Sequence, residues 1–298
     1  MQILISGGTG FIGTELRRNF LKKGDYITVI TRSPEKYASE AARNQKFIDW
    51  NSDLADTLEE TDVVINLVGE NIFGKPWTES VKKRLYQSRV DNTKKLAAAV
   101  EEAENRPALF ISASGVNYYG DRGDQVLDEQ EPAGDRFLAK LCVDWEAAAQ
   151  PVSDLGVRLV LLRNGVVLEM GGGAFQYLFP IFKMCLGGPL GNGRQYFPWV
   201  HMLDVCRAVD FVIDNEEISG PVNMVAPNPV TMNELADTLG EVLHRPSFFR
   251  VPEFALRLVL GDAADPLLES VRAQPKALQQ AGFEFRFKFL KEALSDII

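Results

Sequence analysis

The chain has 298 residues, 46% of them apolar and 24% charged, with a formal net charge of −9. That length allows one large domain or two that share a core, and the acidic balance excludes the basic footprint of a nucleic-acid-binding protein. No apolar run nears the roughly 18 residues of a membrane span, and the opening QILIS lacks the basic flank of a signal peptide, so a soluble cytoplasmic protein with no membrane partner is expected. The three cysteines, Cys142, Cys185 and Cys206, are scattered without C-x-x-C spacing and read as reduced thiols. Two histidines, His201 and His244, cannot build a zinc site by themselves, and no metal is expected.

Apolar runs and helical patterns alternate from the first residues. QILIS (2–6) reads as a strand, Phe11 to Lys23 as an amphipathic helix ended by Gly24, and YITVIT (26–31) as a second strand. KFIDW (46–50) is a shorter run; DVVINLV (62–68) is nearly all apolar, as a strand buried on both faces should be. A long helical pattern spans about 78–104, ALFISAS (108–114) is the next strand, and Phe137 to Ala149 reads as helix. VRLVLLRNGVVL (157–168) opens as a sixth strand. Such alternation predicts a parallel sheet with helices on both faces.

Past about residue 170 the texture changes. The glycine-rich, apolar stretch 171–193 leaves the sheet, QYFPWVHMLDV (195–205) returns toward it, and PVNMVAP (221–227) offers one more strand. Thr231 and Glu234 make a capping box for a helix through Leu243. The expected division is a nucleotide-binding domain over 1–170, with return segments at about 195–226. A smaller, interleaved C-terminal substrate lobe is built from 171–194 and 227–298.

The stretch GGTGFIG (7–13) puts Gly7, Gly10 and Gly13 between a strand and a helix, the context of a Rossmann-type doubly wound α/β fold. One glycine permits the tight turn, one lets backbone N–H groups approach a pyrophosphate, and one lets helix and strand pack closely. The phosphates then sit at the helix N-terminus, on the N–H groups near Gly10, Phe11 and Ile12, with Thr9 in the same turn. NAD-selective versions carry an acid about 20 residues later. Here Thr31, Arg32 and Ser33 end the second strand; a guanidinium with two hydroxyls suits a 2′-phosphate, so the expected cofactor is NADP(H). Leu67, Val68 and Gly69 end the fourth strand along the adenosine and nicotinamide side, and Glu70 and Asn71 follow where cofactor or substrate would lie.

The GxxGxxG, SASGVNYYG (112–120) and YFPWVHMLDV (196–205) together resemble an extended short-chain dehydrogenase/reductase. More narrowly, NLVGENI (66–72), SRV (88–90), WEAAA (145–149), NGVVL (164–168) with the later GGG, and GGPLGNGRQYFPWVH (187–201) are similar to the atypical epimerase-like group, subfamily 39U of the NAD-dependent epimerase/dehydratase family. The tail resembles that group's C-terminal domain of unknown function. The resemblance implies that Arg89 reaches a cofactor phosphate or ribose and that Val167 stands at the nicotinamide end. It also implies a possible homodimer, through the helices at about 78–104 and 135–149, the second with an apolar stripe of Phe137, Leu141, Trp145 and Ala148.

Chemistry in this family normally needs a serine, a tyrosine and a lysine. Ser114 falls at the serine position. Counting back from Glu146 puts Cys142 at the lysine position and Leu138 at the tyrosine position; in the frame of Lys140, Arg136 stands where tyrosine should. The resemblance agrees, since the atypical group is described as lacking the usual pair. The expected substrate site is Ser114, Tyr118 and Glu70 with Asn71, facing Trp199 and His201 across the pocket. Three functions follow: an NADP(H)-dependent oxidoreductase with non-standard proton delivery on a small-molecule substrate; alternatively, a non-enzymatic NADP(H) sensor or scaffold; alternatively, a nucleotide-sugar epimerase.

Overall fold

Seven of the apolar runs pair into one parallel sheet. The computed structural model describes residues 1–73 and 75–298. In chain order the strands are β1 (Gln2–Ser6), β2 (Tyr26–Ile30), β3 (Gln45–Ile48), β4 (Val63–Asn66), β5 (Leu109–Gly115), β6 (Val126–Leu127) and β7 (Arg158–Asn164). They continue with β8 (Val166–Leu168), β9 (Tyr196–Phe197), β10 (Trp199–His201), β11 (Gly220–Met224), β12 (Val230–Thr231) and β13 (Arg272–Ala273). The helices are α1 (Phe11–Lys23), α2 (Leu54–Leu58), α3 (Glu79–Glu102), α4 (Phe137–Ala149), α5 (Pro151–Asp154) and α6 (Phe175–Lys183). After these come α7 (Met202–Asp214), α8 (Met232–Leu243), α9 (Glu253–Leu260), α10 (Asp265–Leu268), α11 (Lys276–Gln280) and α12 (Leu290–Ile297).

The central sheet runs β11-β7-β5-β4-β1-β2-β3, every neighbouring pair parallel. The order reverses between β1 and β4, which makes a crevice at their carboxyl ends. Alternation along the strands explains the two-sided burial. Ile3, Ile5, Val63 and Ile65 pack on one face against Leu16 and Phe20 of α1 and Val209 of α7. Leu4, Val64 and Phe110 pack on the other against Leu96 and Val100 of α3.

At Gly165 the chain leaves the sheet, because a Cβ there would lie 2.6 Å from the Pro198 carbonyl oxygen. The next strand, β8, pairs instead with β10 in parallel. Phe175 and Phe182 of α6 join Met232, Leu235, Leu290 and Leu294 in one apolar cluster, which ties the 171–194 excursion to the C-terminal helices. The capping box forms, with Thr231 and Glu234 exchanging hydrogen bonds. No helix among the described residues is long and apolar enough to cross a membrane. The α4 stripe faces inward: Leu141, Trp145 and Ala148 pack with Leu85 and Val90 of this chain's own α3, with Phe137 beside them. That stripe therefore offers no face to a second copy.

Candidate cofactor and substrate cleft

A cleft of about 790 Å³ opens at the carboxyl end of the sheet. Its floor is a buried polar network. Ser6 Oγ donates to Asn66 Oδ1 at 2.6 Å, and Asn66 Nδ2 donates to Thr93 Oγ1 at 2.8 Å and Ser112 Oγ at 3.2 Å. Trp145 Nε1 donates to the same Thr93 hydroxyl at 3.0 Å. With its polar groups paired, such a network fixes the strand ends rigidly.

The glycine turn lines one wall with Gly7, Thr9, Gly10, Phe11, Ile12 and Gly13. Gly7 adopts φ +73°, and a Cβ there would lie 2.8 Å from the Leu67 backbone. A Cβ at Gly13 would lie 2.4 Å from the Gly7 carbonyl oxygen, so only glycine lets α1 approach β1 this closely. Gly10 caps α1 without a side-chain hydrogen bond, and no acid stands in the first turn. The first N–H groups of α1 are thus left for an anion, which the helix dipole also favours. Gly172 packs on the Phe11 ring and closes the turn from the other side. A dinucleotide fits this donor set and volume.

The remaining cofactor candidates divide. Leu67, Gly69, Glu70, Asn71, Arg89 and Val167 line the cleft, whereas Val68, Thr31, Arg32 and Ser33 stand outside its walls. Thr31 is buried, its N–H donating to the Ile48 carbonyl at 2.9 Å. Arg32 is exposed at the end of β2, and its side chain has no hydrogen bond or ion pair among the described residues. The Glu70 carboxylate pairs with Arg84 at 3.2 Å, and Asn71 Oδ1 accepts from the Phe73 N–H at 2.9 Å. Arg89 donates to the Glu70 and Leu85 carbonyls at 2.9 and 3.2 Å and lies 5.2 Å from the Trp145 ring. Burial lowers its guanidinium below the usual value, and no carboxylate contacts it.

On the catalytic side, Leu138 and Cys142 both line the cleft from α4. The helix therefore presents a leucine and a cysteine where the family pattern has tyrosine and lysine. Burial, with Glu146 nearby, pushes the Cys142 thiol up to about 11, so it stays protonated at neutral pH. Ser114 donates its hydroxyl to Glu146 Oε1 at 2.7 Å. Glu146 in turn holds Arg163 through two bonds of 2.9 Å.

Tyr118, Trp199 and His201 do not join this site. Tyr118 lies flat against Arg163, whose guanidinium carbon is 3.5 Å from its ring, and it is not on the cleft wall. Arg122 does not reach it, being used on the carbonyls of Tyr119, Pro132 and Ala133. Trp199 and His201 share one face of β10, opposite Val200, and that face turns to the C-terminal lobe. Trp199 is in the apolar cluster of α6 and α8, while His201 stacks on Phe287 at 4.0 Å. The His201 Nδ1 accepts from the Leu203 N–H and caps α7; burial lowers its pKa and keeps it neutral.

Two groups with no motif to mark them do line the cleft: Gln195 and Glu269. Burial pushes the Glu269 carboxyl up to about 7, against the pull of Arg136. Among the described residues no group of three or more His, Cys, Asp or Glu could hold a metal ion.

The profile of the NAD dependent epimerase/dehydratase family matches residues 3–225, and a domain of unknown function, DUF1731, matches residues 251–297. Epimerase family protein ML0860 of Mycobacterium leprae is 39% identical, over 98% of this chain and 94% of its own length. Epimerase family protein SDR39U1 of Homo sapiens is 35% identical over 100% of both chains. The crystal structure of human epimerase family protein SDR39U1 (isoform2) with NADPH has a TM-score of 0.90 at 34% identity, covering 100% of this chain and 99% of that one. Glycine turn, sheet order and these full-length matches agree: the chain belongs to the NAD dependent epimerase/dehydratase family.

Proposed function

We propose that this protein binds NADP(H) in the cleft and acts as an oxidoreductase on a small carbonyl or alcohol, with its proton handled outside a tyrosine–lysine pair. The observation that carries the reading is the uncapped start of α1 at the glycine turn, beside the similar human protein crystallised with NADPH. The N–H groups of Phe11, Ile12 and Gly13 hold the pyrophosphate, with Thr9 alongside. Arg32, with Thr31 and Ser33, takes the 2′-phosphate. Leu67, Val68 and Gly69 run along the adenosine and nicotinamide side, and Val167 borders the nicotinamide end. When bound, NADPH supplies a hydride from its nicotinamide ring.

Arg89 brings the cation that the missing lysine would bring. Its charge is felt at Cys142, and it has no carboxylate of its own. Ser114 has committed its proton to Glu146, so its oxygen accepts a hydrogen bond from a substrate hydroxyl. Leu138 and Cys142 exclude water and exchange no proton. The free Cys142, Cys185 and Cys206 thiols fit a reducing compartment such as the cytoplasm.

The test is NADPH oxidation across a broad panel of carbonyl compounds. A saturable but slow reaction is expected, because a positioned acid is typically worth about 10²–10⁴ in rate. Tight NADPH binding with no turnover on any compound would favour the second reading, a non-enzymatic NADP(H) sensor, to which the Leu138 and Cys142 replacements also point.

A further inference from the structure

Gln195 is only 5% exposed and lines the C-terminal-lobe end of the cleft. Its Nε2 donates to the Leu190 carbonyl at 3.0 Å and the Leu267 carbonyl at 3.1 Å. Two carbonyl acceptors fix which end of the amide carries hydrogens. The other end, Oε1, is buried with no partner among the described residues. An unpaired buried acceptor is costly and asks for a donor. Glu269 lines the same end, 6% exposed, with Arg136 Nη1 3.3 Å from its Oε1. Phe197, Met232 and Leu267 supply apolar walls.

Charge narrows the ligand further. The cations lining the cleft among the described residues are Arg18 on α1 and Arg89 on α3. The Gln195 end has a carboxyl and no lining cation. Arg136 beside it is shared between Glu269 and Asp265. A phosphate there would meet an acceptor and a carboxyl with nothing to pay its desolvation.

We propose that Gln195 Oε1 and Glu269 form a substrate subsite that takes the hydroxyl end of an uncharged molecule with an apolar body, and that rejects phosphate-bearing ligands such as nucleoside diphosphates. This deepens the reading above, on which it rests, by naming the substrate class.

The probe is 1,2-hexanediol, titrated into the full-length protein with and without NADPH and followed at the Met232 methyl resonance. A saturable shift is expected. Binding should weaken at least about fivefold for 1,2-dimethoxyhexane, which lacks the donors. Hexyl phosphate and UDP-glucose should give no tighter binding at this methyl. Gln195→Leu should weaken the diol by a similar factor. Since that change also removes two structural hydrogen bonds, Glu269→Leu is the second variant, with the same loss expected. Equal binding of diol and diether, tightest binding of hexyl phosphate, or full diol affinity in both variants would overturn the subsite. NADPH calorimetry on the same samples separates the two ideas. NADPH binding without a diol shift sinks the subsite alone; a diol shift without NADPH binding sinks the cofactor reading alone.

Discussion

Glu269 and Cys142 line the same cleft, and burial moves both away from their charged forms. For Glu269, Asp265 and Asp121 add to the effect of burial and Arg136 opposes it, with the result near 7. The folded value therefore lies above the unfolded one, about 4.3. Between these two values the folded protein binds more protons, so stability falls as pH rises through the window and is lowest above it. Glu269→Gln removes this titration. Relative to wild type, the variant should gain about 2 kcal/mol at about pH 8 over what it shows at about pH 4. Urea unfolding at both pH values measures it; a difference that does not change with pH would contradict the buried, raised carboxyl. A second prediction concerns Glu146, which holds the buried Arg163 bidentately. Glu146→Gln leaves that guanidinium uncompensated and should cost about 3–5 kcal/mol. Ser114→Ala removes one hydrogen bond to the same carboxylate and should cost about 1.5–3 kcal/mol. Equal losses by urea unfolding would mean that Glu146 does not organise this corner.

At the scale of elements, the close approach of α1 to β1 rests on Gly13, and Gly7 shapes the turn before it. Gly13→Ala must push the helix off the strand, since its Cβ would sit 2.4 Å from the Gly7 carbonyl oxygen. The expected result is a loss of about 1–3 kcal/mol in stability and at least a tenfold loss in NADPH affinity, about 1.4 kcal/mol. Gly10→Ala, whose Cβ would meet only that oxygen at 3.2 Å, should be milder. Wild-type affinity in Gly13→Ala would contradict the turn's role. This element was legible in the sequence because glycine marks both its ends, at Gly10 and Gly24. The β10 segment was legible as a strand, but not its facing. A period of two puts Trp199 and His201 together, and only the packed lobe decides which side they meet. The α7 helix was not read, although Val205, Ala208, Val209 and Val212 repeat at helical spacing and pack on the sheet. Gln195 and Glu269 were not legible as a pair. They come from segments far apart in the chain, and the unpaired Oε1 and raised carboxyl exist only once the lobe is folded.

At the scale of the whole molecule, a chain of net charge −9 must bind an anionic cofactor. Long-range repulsion is screened beyond about 8 Å at physiological salt, so local groups decide: the N-terminus of α1 and the arginines near the cleft. Arg32 is the one aimed at selectivity. It is exposed at the end of β2, with no ion pair to give up among the described residues. A charge-assisted bond to a 2′-phosphate is worth about 1.5–3 kcal/mol, or about ten- to hundredfold in Kd. Calorimetric titration of the wild type and Arg32→Ala with NADPH and NADH tests this directly. The account predicts that wild type binds NADPH about ten- to hundredfold more tightly than NADH and that Arg32→Ala brings the two together. Equal affinities in the wild type, or an unchanged ratio in Arg32→Ala, would contradict it.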